Sequence, residues 1–126
     1  MNTKKAVKEV VNFLTTKPYS KILCISIEHS KNRHLKDSIT DLLNTTKIRK
    51  EFIIETDKIY RKNDSYCWFC RFVILTGKNS IEQAETLMGY CGNNLLLILN
   101  ELPKDLEHIY DIAEMYKSAG NKVIEI

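Results

Sequence analysis

Short apolar runs alternate along this chain with amphipathic stretches of helical spacing, and the alternation is broken once, between residues 51 and 76. The densest run, Leu95–Leu99, has no polar partner face. Such a run is typical of a central strand that is covered on both sides in an α/β sheet. Lys21–Ile27 is a second apolar run, and Lys122–Ile126 is a third. We therefore predict buried strands at Lys21–Ile27 and Leu95–Leu99, and a further strand at Lys122–Ile126.

Helices are predicted where apolar residues recur at i, i+3, i+4 and i+7, because that spacing forms one stripe on a helix. Ser80-Ile81-Glu82-Gln83 resembles a capping box and marks the start of one of them. The polar segment Glu28–Asn32 is predicted to be a loop that precedes another. The first three predicted helices cover residues 4–14, 35–44 and 80–88. The fourth is predicted to start at Pro103, to carry an apolar stripe from Leu106 to Tyr116, and to end at Gly120.

The interruption of the alternation predicts a β-hairpin. Residues 51–61 and 66–76 both have strand character, and Lys62-Asn63-Asp64-Ser65 between them is a cluster of turn-forming residues. We expect the two strands to pair antiparallel across Asn63-Asp64. Both faces of the second strand are apolar, so this strand is predicted to lie inside the sheet.

The element order is therefore α-β-α-β-β-α-β-α-β, in one α/β domain over residues 1–126. This order favours a three-layer sandwich with a mixed sheet of five strands, in which the hairpin supplies an antiparallel edge. The alternative is a ferredoxin-like βαββαβ core over residues 21–99, with a terminal helix before it and an α-β unit after it. A two-layer core would leave one sheet face bare, and Leu95–Leu99 argues against that.

Composition and charge are those of a globular protein: 44% of residues are hydrophobic, 28% are charged, and the net charge is +3. No apolar stretch approaches the roughly 20 residues needed to cross a bilayer, and the N-terminus does not resemble a signal peptide. Cys67 and Cys70 lie within an apolar alternation, where neither a redox dithiol nor a zinc pair is expected. We therefore expect reduced cysteines, a cytoplasmic location, and neither a metal nor a cofactor.

The turn after the second hairpin strand is a candidate anion site. A glycine at the end of a buried strand lets the backbone approach a ligand, and the following helix start offers free N–H groups beside a lysine. The pattern is not a P-loop, because the first glycine of that motif is missing and an asparagine follows the lysine. An ordinary strand-to-helix turn would use the same residues. The candidate ligand-binding residues here are Gly77, Lys78, Asn79 and Ser80.

Two other loops are expected at the same edge of the sheet. Glu28 and His29 follow the first strand, and Glu101 follows the Leu95–Leu99 strand. In open α/β sheets, ligands bind at the carboxyl ends of the strands, near the switch in strand order. Either glutamate with His29 would be a candidate acid–base pair. Solvent exposure of ordinary loops would explain the same polar residues.

Basic residues gather around the predicted hairpin, with Tyr60 and Tyr66 beside them. Such a surface is able to contact a nucleic-acid backbone and to stack on bases. Acidic residues are interleaved, however, and a mixed-charge edge that resists aggregation explains the same pattern. The candidate nucleic-acid-binding residues are Lys47, Arg49, Lys50, Lys58, Arg61 and Lys62.

Three functions follow from these patterns, and none rests on a complete catalytic motif. The first is a small non-catalytic binding or regulatory module that acts through a protein or ligand surface. The second is a nucleotide- or phosphate-ligand-binding domain that uses the loop at residues 76–80. The third is a nucleic-acid-binding domain that uses the hairpin. The partner is thus expected to be a protein, a phosphate-bearing ligand or a nucleic acid, and not a membrane.

Overall fold

A mixed sheet of six strands, with helices on both faces, forms the described part of the protein. The computed structural model describes residues 2–16, 21–62, 70–75 and 95–126. The elements in chain order are α1 (Thr3–Thr16), β1 (Lys21–Ser26), α2 (His29–Leu43), a 3₁₀ turn (Arg49–Glu51), β2 (Phe52–Ile54), β3 (Lys58–Arg61), β4 (Cys70–Ile74), β5 (Leu95–Leu99), α3 (Glu107–Ser118) and β6 (Lys122–Glu125).

The strand order is β2-β3-β4-β1-β5-β6, and the last four strands in this order are parallel. In the central strand, Cys24 is paired with Phe72 of β4 on one side and with Ile98 of β5 on the other. In the ferredoxin-like alternative, β1 and β5 would be the first and last strands of the core, and that fold pairs these strands antiparallel. Because β1 and β5 are parallel, this alternative is wrong. The α/β class and the mixed sheet are confirmed.

The sheet has six strands where five were predicted, because the predicted strand at residues 51–61 is two strands. Glu55–Asp57 form a turn between β2 and β3, closed by a bond from the Glu55 N–H to the Lys58 carbonyl (2.9 Å). Ile59 then pairs antiparallel with Cys70 of β4. The antiparallel pairing of the two predicted segments is therefore confirmed at this point, and β4 is an interior strand. The turn predicted at Asn63-Asp64 lies outside the described residues.

The side chains of the central strands point alternately into two apolar clusters, one on each face of the sheet. On one face, Ile22 and Cys24 pack with α1 and α2. On the other, Leu23 and Ile25 pack with α3. Two-sided burial explains why these runs lack a polar face.

α2 begins six residues before the predicted start of its apolar stripe at Leu35. Glu28 is extended (φ −125°, ψ 128°) and His29 is the first helical residue, so the predicted loop at Glu28–Asn32 is wrong. The first turn is polar because it stands at the edge of the sheet. The helix predicted at residues 80–88 lies outside the described residues. No helix among those described is long and apolar enough to cross a membrane.

Candidate functional site

The carboxyl ends of β1, β4 and β5 lie at the same edge of the sheet, because the three strands are parallel and adjacent. From this edge β1 leads into α2 on one face, whereas β5 leads to α3 on the opposite face. The chain therefore leaves β1 and β5 in opposite directions and opens a crevice between them. This is the topological switch point at which α/β sheets bind their ligands.

Two asparagines tie the strand ends together at this crevice. The Asn32 carboxamide nitrogen donates to the carbonyls of Cys24 in β1 (3.3 Å) and Val73 in β4 (3.0 Å). Its oxygen accepts from the carboxamide nitrogen of Asn100 (3.1 Å), which directly follows β5. Both side chains are buried, at 3% and 4% exposure. This asparagine bridge thus joins three strands through groups that would be costly to leave unpaired.

One cavity, which we name the switch-point cavity, opens on the β5 side of the bridge. Lys31 and Glu101 form an ion pair of 2.9 Å there, and both side chains are partly exposed. The Glu101 carboxylate raises the pKa of Lys31, chiefly through this bond. The cavity has a volume of about 430 Å³ and is lined by Thr3, Ser30, Lys31, His34, Leu35, Asn100 and Glu101.

The start of α2 presents free backbone donors at this position. No side chain caps the helix, and the first helical bond is a long one from the Asn32 N–H to the Glu28 carbonyl (3.4 Å). The N–H groups of His29, Ser30 and Lys31 therefore have no acceptor within the described ranges. Unpaired N–H groups and the helix dipole make such a terminus attractive to anions.

The backbone of Glu101 is unusual for a residue with a side chain. Its φ of 53° lies in the left-handed region, which costs a non-glycine residue free energy. The Glu101 N–H donates to the carbonyl of Ile126 (3.0 Å), and the side chain pairs with Lys31. These two contacts keep the Glu101 carboxylate at the crevice, although the left-handed backbone costs free energy.

A second cavity, which we name the edge cavity, opens on the β4 side of the bridge, between α2 and the turn that joins β2 to β3. Its volume is about 440 Å³. Its apolar part comes from β4, and its charged part comes from α2 and the turn. The lining residues are His29, Asn32, Arg33, Lys36, Asp37, Thr56, Asp57, Phe72 and Ile74.

The predicted residues of this edge are brought near one another but do not form one site. His29 lines the edge cavity, and Glu101 lines the switch-point cavity. Glu28 lines neither of them, and no hydrogen bond joins His29 to either glutamate. The predicted acid–base pair therefore has no direct hydrogen bond in the structure, and its role stays a prediction. The predicted anion site at Gly77–Ser80 lies outside the described residues.

Sequence reasoning missed the role of Asn32. The signal was its position three residues before Leu35 and seven before Ile39, which places an asparagine in line with the buried stripe of the helix. An amide at a core position must satisfy its hydrogen bonds, so it tends to bridge backbone groups.

Half of the six predicted nucleic-acid-binding residues are engaged within the protein. Arg49 donates to the Asn44 side chain (2.8 Å) and to the Phe52 carbonyl (3.0 Å). Arg61 donates to the Leu14 carbonyl (3.0 Å), and Lys58 pairs with Glu55 at 3.6 Å. The other three, Lys47, Lys50 and Lys62, are exposed.

The two described cysteines are free thiols inside the core. Cys24 and Cys70 have their sulfur atoms 4.0 Å apart, and both are fully buried. Burial, and then the neighbouring Cys70, raise the pKa of the Cys24 thiol well above its ordinary range. Among the described residues, no three His, Cys, Asp or Glu side chains come together as a set that could hold a metal ion.

The sequence matches no protein-family model, and neither a curated protein nor a solved structure shows significant similarity to it.

Proposed function

We propose that this protein is a ligand-binding module without reaction chemistry of its own, and that it binds a small anionic ligand in the switch-point cavity. The observation that carries the proposal is the uncapped first turn of α2, in which Ser30 and Lys31 line the switch-point cavity. His29 and Glu101 line different cavities, and this supports a binding role over acid–base catalysis by that pair.

The groups around the cavity suit a ligand with a single anionic group. The free backbone N–H groups at the start of α2, of which those of Ser30 and Lys31 belong to residues that line the cavity, attract it together with the Lys31 ammonium. A helix terminus contributes about 0.3–1 kcal/mol when exposed. Glu28 and Glu101 repel any further negative charge nearby. A phosphate monoester or a carboxylate therefore fits better than a polyphosphate. A volume of about 430 Å³ is within the usual range of small-ligand pockets.

NMR titration of ¹⁵N-labelled protein tests this proposal, with inorganic phosphate, a nucleoside monophosphate and the corresponding triphosphate as probes. We expect the amide signals of His29, Ser30 and Lys31 to move with the first two probes. The triphosphate should bind more weakly. Movement confined to Gly77–Ser80 would instead favour the predicted loop as the anion site.

Two variants at one position isolate the backbone contribution. His29→Pro removes an N–H that has no acceptor among the described residues, and proline is tolerated at the first position of a helix. Glu28 already has the extended conformation that a residue before proline prefers. His29→Ala removes the same side chain but keeps the N–H. We expect phosphate binding to be weaker in His29→Pro than in His29→Ala.

The side-chain contribution is tested by Lys31→Ala. Loss of one charge-assisted hydrogen bond should weaken monophosphate binding about tenfold. Lys117→Ala is the matched control, since Lys117 is also a half-exposed lysine in an ion pair, with Glu114, but lies on α3. Equal binding by all variants would overturn the proposal. Stabilisation by an oligonucleotide and not by small anions would favour the nucleic-acid alternative.

A further inference from the structure

We infer that the edge cavity is a second binding site, and that it accepts a flat heteroaromatic base with hydrogen-bond donors on one edge and acceptors on the other, as in a guanine nucleoside. This inference does not rest on the proposed anion site, because it concerns a different cavity and uses the side chains of Arg33 and Asp57; of the residues at the anion site, His29 also lines the edge cavity.

The floor of the edge cavity is apolar and belongs to the sheet. Phe72 is buried at 8% exposure and Ile74 is partly buried, and both come from β4. A planar ring that covers these side chains would remove their remaining apolar surface from water. The cavity volume of about 440 Å³ is sufficient for a ligand of nucleoside size.

The rim of the cavity carries charges that do not neutralise one another. Arg33, Asp37 and Asp57 all line it and are exposed. None of the three forms an ion pair or a side-chain hydrogen bond within the part of the chain that the structure describes. Opposite charges around one cavity that do not meet directly leave room for a polar ligand between them.

The rim is held in place relative to the floor. Lys36 donates to the carbonyls of Glu55 (2.9 Å) and Thr56 (3.2 Å), which fixes the β2–β3 turn against α2. The Asp57 carbonyl accepts from the Phe72 N–H (2.8 Å), which fixes the same turn to the floor. A site positioned before binding spends less free energy on ordering its own groups.

The chemistry of the rim selects the class of ligand. A carboxylate only accepts hydrogen bonds, so Asp57 calls for N–H donors such as a ring N–H beside an amino group. A guanidinium only donates, so Arg33 calls for a carbonyl oxygen or a ring nitrogen, the contact arginine makes to O6 and N7 of guanine. Guanine presents donors and acceptors on different edges of one flat ring, whereas adenine lacks both the ring N–H and the carbonyl.

Calorimetric titration with guanosine, inosine and adenosine tests this inference. Inosine lacks the amino group of guanosine, so we expect it to bind about tenfold more weakly, and adenosine to bind more weakly still. Guanosine should move the amide signals of Asp57, Phe72 and Ile74 in an NMR titration. Equal affinity for the three nucleosides, no binding, or signal changes elsewhere would overturn the inference.

A matched pair of variants tests whether the Asp57 carboxylate binds guanosine. Asp57→Asn keeps the shape of the side chain and should weaken guanosine binding at least tenfold without lowering the thermal midpoint, since the side chain is exposed and has no partner among the described residues. Asp105→Asn makes the same change at an exposed aspartate before α3 and should bind like the wild type. Unchanged guanosine affinity in Asp57→Asn would overturn the assignment. Binding of a guanine-containing oligonucleotide without binding of guanosine would also overturn it, because it would point to a nucleic acid.

Discussion

The two cavities on either side of α2 differ in how their charges are arranged. In the switch-point cavity, Lys31 and Glu101 neutralise each other, and the free donors are backbone N–H groups at the helix start. In the edge cavity, the charged groups without a partner among the described residues are the side chains of Arg33, Asp37 and Asp57. One helix therefore offers an anion-attracting terminus on one flank and directional side-chain recognition on the other.

The asparagine bridge contributes one residue to the lining of each cavity. Asn32 lines the edge cavity and Asn100 lines the switch-point cavity, and one hydrogen bond of 3.1 Å joins them. Changes at the bridge should affect both cavities, whereas changes on either flank should affect one. The following predictions test this difference.

The largest effect is expected for Asn32→Leu. The substitution keeps the branching at Cγ but removes both donors to the Cys24 and Val73 carbonyls and the acceptor for Asn100. Each buried group left without a partner costs about 1–3 kcal/mol, so the free energy of unfolding should fall by about 3 kcal/mol in chemical denaturation. Asn12→Leu, on the exposed face of α1, is the control. A loss below about 1 kcal/mol would contradict the structural role of the bridge.

A pH titration of stability probes the interior directly below the bridge. The folded pKa of Cys24 is raised by burial, whereas in the unfolded chain the thiol ionises near its ordinary value of 9.0. The unfolded state therefore loses its proton first, and stability should fall as the pH rises above 9.0 towards the folded pKa. The slope approaches about 1.4 kcal/mol per pH unit. Cys24→Ala should flatten it. If the slope is unchanged in this variant, then groups other than Cys24 cause the loss of stability at alkaline pH.

Lys36→Met should affect the edge cavity alone. The variant keeps the apolar stem of the side chain but loses both hydrogen bonds to the turn at Glu55 and Thr56. We expect a loss of about 1 kcal/mol in the free energy of unfolding, with weaker guanosine binding and unchanged phosphate binding. Lys104→Met, whose ion pair with Glu125 lies elsewhere on the surface, is the control. An equal loss of both ligands would show that the cavities are not separate.

The smallest effect is expected at Glu101. Glycine accepts a φ of 53° without strain, whereas glutamine keeps the strain and loses the charge. Exposed ion pairs contribute little, so Glu101→Gly should be more stable than Glu101→Gln by about 0.5 kcal/mol in thermal denaturation. The reverse order would mean that the left-handed backbone at Glu101 carries no strain.

The central strands were predictable because their apolar runs need no distant information. Leu95–Leu99 is buried on both faces, and a run without a polar face predicts that directly. The turn at Glu55–Asp57 was not predicted, because Lys36 on another element helps to hold it. The residues on either side of Glu55–Lys58 have strand character, and the prediction extended one strand across these four polar residues.

The edge of the sheet at which the candidate site lies was predictable from the sequence. The division of this edge into two cavities was not. The rule for parallel strands places Glu28 and Glu101 at the same edge, as the structure shows. That His29 and Glu101 line different cavities depends on where α2 begins. The polar first turn of this helix resembles a loop in the sequence, because its exposed residues need no apolar periodicity.

The most direct test of two separate sites flanking α2 is one NMR experiment in which phosphate and guanosine are titrated into the same ¹⁵N-labelled protein, alone and then together. We predict that phosphate moves the amide signals of residues 29–31, that guanosine moves those of Asp57, Phe72 and Ile74, and that both sets move when both ligands are present. Competition between the ligands for one set of signals, or movement of neither set, would contradict the account.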